Sequence, residues 1–131
     1  MAAVAKTARV RSATRVGYEV NDKGQAKTAI AAGDLVVITA DTPVRGYETV
    51  YDRAPITGIT EAHGIALKPA VAGGTVEVGL KGEFDGFTGL VPGTPLYPST
   101  ATAGGIDTTA IAGAPVRMRA VTPTLIRFSF V

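Results

Sequence analysis

Apolar and polar positions alternate with a period of two in several stretches of this chain. In "TVEVGLKG" (75–82), Val76, Val78 and Leu80 fall on one side and Thr75, Glu77 and Lys81 on the other. That pattern predicts a half-buried antiparallel strand. The C-terminus repeats the pattern twice. "PVRMRAV" sets Val116, Met118 and Ala120 against Arg117 and Arg119, and "LIRFSFV" sets Ile126, Phe128 and Phe130 against Arg127 and Ser129. With "TPT" between them, the two runs predict a hairpin. Burying Phe128 and Phe130 would contribute about 1.5–3 kcal/mol each, so loss of the last four residues should be badly tolerated. "DLVVITA" differs, because Leu35, Val36, Val37 and Ile38 are consecutive. Both faces of that strand must be covered, either centrally in the fold or by another subunit.

Turns punctuate these runs in a recurring way. "AAGDLVVITA" (31–40), "VAGGTVEVGL" (71–80) and "VPGTPLYPS" (91–99) each place a glycine-containing turn before an apolar run of strand length. Glycine takes positive φ without steric cost, so the chain can reverse there before a strand begins. The stretch "GLVPGTPLYPSTATAGGIDTT" (89–109) could be a linker, a ligand-gripping loop or two strands across a turn. A strand at 94–97 between prolines suits a sheet edge, and Gly104-Gly105 makes a turn before an extended piece at Ile106. Helical signal is thin. "AKTAIAAG" (26–33) allows one or two turns at most, and "ITEAHGIALKPA" is broken by Gly64 and Pro69, leaving a turn and a short strand at 65–68. The predicted fold class is all-β, a small β-barrel or sandwich of short antiparallel strands with an extended N-terminal arm.

Composition agrees with that class. A chain of 131 residues, 46% hydrophobic, fits one domain and can bury a real core. Its apolar residues are mostly small, with no tryptophan and no cysteine, so disulfides, thiolate metal sites and cysteine nucleophiles are excluded. No apolar run has the length of a membrane span, and the basic N-terminus has no apolar stretch behind it, so no membrane or secretory route is expected. The net charge of +2 is unevenly spread. Residues 1–30 hold Lys6, Arg9, Arg11, Arg15, Lys23 and Lys27 against Glu19 and Asp22, and the remainder is mildly acidic. This division gives a basic arm and first extended segment (1–30) and a body (31–131). The arm reads either as an electrostatic contact or as a solvated tail.

Candidate chemistry is sparse. His63 is the single histidine, so a two-histidine metal site is out, and neither Ser12, Ser99 nor Ser129 sits in a nucleophile-elbow pattern. It reads as a surface or turn residue. Glu83 and Asp85 in "KGEFDGF" share a face if extended and would suit glycoside hydrolysis, but a solvated loop between Gly82 and Gly86 is the preferred reading. "AGGT" and "GLVPGTP" lack the lysine and helix of a phosphate-binding loop. No catalytic residue, cofactor or metal is therefore assigned. "RGYETVYDRA" places Tyr47, Thr49 and Tyr51 on one side of a strand with Arg45 and Arg53 flanking, a composition suited either to a protein contact or to an ordinary strand face. Arg9, Arg11, Arg15, Arg45, Tyr47, Tyr51 and Arg53 are the candidate interface residues. Nucleic acid is not expected, since the basic arm lacks interleaved aromatics.

Several phrases together resemble a known family. "HGIALKPAVAGGTVEVGLKGEFDGF", "GLVPGTPLYPSTATAGGIDTT" and "APVRMRAVTPTLIRFSFV", with "AAGDLVVIT" upstream, are similar to the capsid decoration (head cement) proteins of tailed bacteriophages. The resemblance covers about residues 31–131 and stops short of the arm. It implies a non-enzymatic virion protein, commonly a homotrimer, made in the host cytoplasm and placed on the outer capsid surface. There it would cement neighbouring major capsid protein subunits and stabilise the expanded head. The arm, to about Val20, would reach over an adjacent subunit, and deletion of residues 2–15 would weaken capsid binding while sparing the trimer. The alternative is a carbohydrate- or receptor-binding β-module of a phage fibre or tail, which needs a groove with exposed aromatics.

Overall fold

Ten strands and no helix make up the described residues of the computed structural model. Those residues are 5–13 (main chain only), 20–44, 46, 49–59 and 61–131. The strands are β1 (Ala5–Ala13), β2 (Val20–Ala26), β3 (Leu35–Ile38), β4 (Val50–Arg53), β5 (Gly64–Ala66), β6 (Thr75–Thr88), β7 (Pro95–Pro98), β8 (Ile106–Asp107), β9 (Met118–Ala120) and β10 (Leu125–Ser129). The all-β expectation holds. The weak helical propensity of 26–33 is overridden, because Ala26 ends a strand and Ile30 bridges to Ala70.

Pairing closes on itself. β2 pairs β4, β4 pairs β3, β3 pairs β5, β5 pairs β6, and β6 returns to β2. Strands cannot alternate direction all the way round a ring of five, so one neighbouring pair must run parallel. That pair is β2–β4, the exception to the antiparallel expectation. Closure also removes exposed edges from this half of the fold.

β6 joins the ring to the other half. It is a strand of 14 residues. Its first half pairs β2 and β5, and its second half pairs β1 and β10. β9, β7 and β8 continue outward from β10. Residues 82–86, read from sequence as a loop, therefore belong to a strand. The glycines that suggested a loop are tolerated inside it, with Gly82 and Gly86 at φ of 153° and 107°.

Two hydrophobic cores lie on opposite faces of the shared strands. The inner core, inside the ring, holds Ala26, Val36, Tyr51, Ala66, Val76 and Val78. The larger outer core gathers Leu35, Ile65, Phe84, Phe87, Leu96, Met118, Ile126 and Phe128. Successive residues of β3 alternate between them, with Leu35 outward, Val36 inward and Val37 outward. This is why Leu35, Val36 and Val37 stand in a row there, whereas Ile38, expected to be covered as well, is 54% exposed. The expected face of "TVEVGLKG" is also present, with Val76, Val78 and Leu80 in the inner core. Close packing of the ring demands small residues at two points. A Cβ on Gly64 would strike Val78 Cγ1, and one on Gly24 would lie 2.6 Å from the Thr49 carbonyl and 2.7 Å from the Tyr51 ring.

The 89–109 stretch is built, not loose. β7 pairs β9 through Pro95 and Leu96, and β8 through Tyr97 and Pro98. It therefore lies between two neighbours rather than at the edge that its prolines suggested; each neighbour uses only two of its residues. Ser99 Oγ accepts hydrogen bonds from the Ala101 and Thr102 amides, and Gly104 turns the chain at φ 72°. The turn then docks on the ring, where the Leu35 amide donates to the Gly104 carbonyl at 2.7 Å and the Gly104 amide donates to Ala54 at 2.8 Å. The C-terminal hairpin forms, with Ile126 opposite Ala120 and Phe128 opposite Met118, but Val116, expected on the same buried face, precedes β9 and is exposed.

Candidate functional site

Of the candidate interface residues, Tyr51 and Arg53 have described side chains. Tyr51, on β4, points into the inner core, is 2% exposed and donates its hydroxyl to Asp22 Oδ2 at 2.6 Å. It offers no ring to a partner from this position. Desolvation, then the hydrogen bond and charge of Asp22, push its pKa well above the usual phenol value. Arg53, two residues on and exposed, does lie at the surface. Arg9 and Arg11 lie on β1, where Arg11 stands opposite Asp85 of β6. Arg15, Arg45 and Tyr47 lie outside the described residues. The 1–30 segment thus contributes two strands to the sheet rather than only an arm.

Of the residues considered for catalysis, His63, Ser99, Ser129 and Glu83 are engaged in structural hydrogen bonds. His63 Nδ1 accepts the Ile38 amide at 2.8 Å, tying the segment before β5 to β3. Ser99 caps its own turn, and Ser129 Oγ donates to the Val131 carbonyl. Glu83 is 4% exposed, and its Oε2 receives Arg127 Nη2 at 2.8 Å and Nε at 3.2 Å. A carboxylate this buried needs such a charged donor, since burying it alone would cost far more than the pair returns. Among the described residues, no three His, Asp or Glu side chains converge at metal-ligand spacing. Tyr51, Phe84, Phe87, Tyr97 and Phe128 are buried and Phe130 is half-buried, so no described aromatic stands out as a sugar platform.

What sequence reasoning missed is a basic face across β6, β10 and β9. The register sets Arg119 directly opposite Arg127, which itself stands opposite Glu83. Two residues along, the Ser129 amide donates to the Arg117 carbonyl, placing Arg117 beside Arg119 on the same face. The alternation of "VRMRAV" and "LIRFSFV" marked these arginines as the outward set. Only the pairing register shows that they meet. Each is held by an acceptor on the body: Arg117 by Glu61 at 3.0 Å, Arg119 by the Gly93 carbonyl at 3.1 Å, and Arg127 by Glu83. No family model, curated protein or solved structure matches the chain.

Proposed function

We propose that this protein is a structural component of a tailed-bacteriophage head, bound to the outer capsid surface, where it cements neighbouring major capsid protein subunits. The observation that carries this reading is the coincidence of the resembling phrases with whole structural units. "GIAL" holds β5, "AGGTVEV" is a turn and the start of β6, "PLY" lies in β7, "TAGGI" is the docked turn, and the closing run is β9–β10. Two further features suit the role. Val44, Val71 and Val91 are large apolar residues exposed outside the strands, where another protein would cover them. The two-core body with a closed ring offers a rigid support for weak contacts. If three copies associate, those contacts combine into one tight attachment through effective concentration.

Co-sedimentation with empty capsids tests the reading. Purified protein should pellet with expanded capsids and stay in the supernatant with unexpanded ones, and light scattering should give a trimer mass. Failure to pellet with expanded capsids would overturn the assignment. The arm is best tested by charge removal (Arg9→Gln, Arg11→Gln and Arg15→Gln together), because residues 5–13 pair with β6 and deleting them would open its edge. The triple variant should keep its mass and lose capsid affinity.

A further inference from the structure

The basic face of β6, β10 and β9 is hollowed into an open cleft of about 440 Å³. Lys81, Arg117, Arg119 and Arg127 line it together with the partly exposed Val116 and Val121, and no described Asp or Glu does. Glu61 and Glu83 offset Arg117 and Arg127, and Arg119 keeps the cleft cationic. Among the described residues, Arg119 has no carboxylate within 4.0 Å and holds only a backbone carbonyl.

Arg119 and Arg127 stand opposite each other at the wall of a concave surface. Glu83 offsets Arg127, whereas Arg119 holds only a backbone carbonyl, so an anion entering the cleft meets an uncompensated guanidinium group at Arg119. The groups are also pre-ordered: the glutamates engage Nε and Nη2 of Arg117 and Arg127, and Gly93 fixes Arg119. Less side-chain entropy is then lost on binding. Planar guanidinium forks match carboxylates in a bidentate way. The mixture of guanidinium groups with aliphatic walls fits a chain that alternates acidic and apolar side chains.

We infer that this cleft is a docking site for an extended acidic segment of a partner protein, its carboxylates seated on Arg119 and Arg127. The inference is separate from the capsid reading and is tested without capsids. The probe is a labelled, capped hexapeptide alternating glutamate and valine, followed by fluorescence anisotropy with the full-length chain. Binding should weaken with added salt, and the glutamine counterpart of the peptide should not bind. Arg119→Gln should reduce affinity about tenfold, the loss expected for a charge-assisted contact. Its thermal midpoint should match wild type, because Arg119 is exposed and pairs with no carboxylate. Lys23→Gln, the same charge change on exposed β2, should bind as wild type does. Equal weakening by both variants, or none by Arg119→Gln, would overturn the proposal. So would tighter binding of a single-stranded oligonucleotide or of inorganic phosphate that Arg119→Gln abolishes.

Discussion

Tyr51 shows how one buried hydroxyl shapes the response of the protein to pH. Its ring fills the space left by the missing side chain of Gly24, and its oxygen donates to Asp22 across the inner core. Burial first, and then Asp22, raise its pKa above the value of about 10 that it has in the unfolded chain. Above about pH 10 the unfolded state sheds this proton while the folded state keeps it, so unfolding is favoured increasingly with pH. The stability that Tyr51 contributes is whole below about pH 10 and is lost as pH rises toward its folded-state pKa. Tyr51→Phe removes both the hydrogen bond and the titration. The variant should be less stable by about 1–2 kcal/mol at neutral pH. By urea unfolding, that gap should shrink between about pH 9 and pH 11. A gap that stays constant over the range would contradict the account. The alternation of Tyr47, Thr49 and Tyr51 is plain in the sequence, but period two names a face without saying which way it points. Gly24 carries the missing information, and it lies 27 positions away.

At the scale of elements, one turn recurs four times. Gly33, Gly73, Gly93 and Gly113 have φ between 78° and 87°. In each case the next residue's amide donates to the carbonyl three positions back: Asp34 to Ala31, Gly74 to Val71, Thr94 to Val91 and Ala114 to Ile111. Positive φ at the third position is the requirement of a type II turn, and Pro92 suits the second. The first three were legible as glycine before an apolar run. The fourth, "IAGA", is followed by Pro115 and by the arginine-bearing strand β9, so no apolar run advertises it. β6 was hidden for the opposite reason, because Gly82 and Gly86 look like punctuation where the strand is continuous. Apart from the β9–β10 hairpin, strand partners were not legible, since period two carries no register between distant segments. The turn reading has a clean test. A Cβ on Gly93 would meet nothing within 4 Å, so Gly93→Ala isolates the cost of positive φ. It should lower stability by about 1–2 kcal/mol. Gly46→Ala, equally open and without positive φ, should leave the denaturation midpoint unchanged. Equal effects of the two would show that φ is not what the glycine supplies.

For the whole molecule, the decisive feature is that the two cores share their walls. β3 and β5 send Leu35 and Ile65 outward and Val36 and Ala66 inward, and β6 feeds the inner core with Val76 and Val78 and the outer one with Phe84 and Phe87. Neither core keeps a complete wall if the other dissolves, so the two should melt together. Ile126 tests this, because it is fully buried in the outer core on β10, a strand outside the ring. Ile126→Ala should cost about 2–5 kcal/mol through lost contacts and the cavity left behind. If the cores are coupled, amide exchange at Val36 and Val78 should accelerate by the same free energy as exchange at Phe84 and Phe128. Protection that falls only in the outer set would mean that the ring folds as a separate unit. A rigid support for surface contacts requires the coupled outcome. A body that opened half at a time would lose the fixed spacing between the cleft arginines on one half and the exposed Val71 of the other.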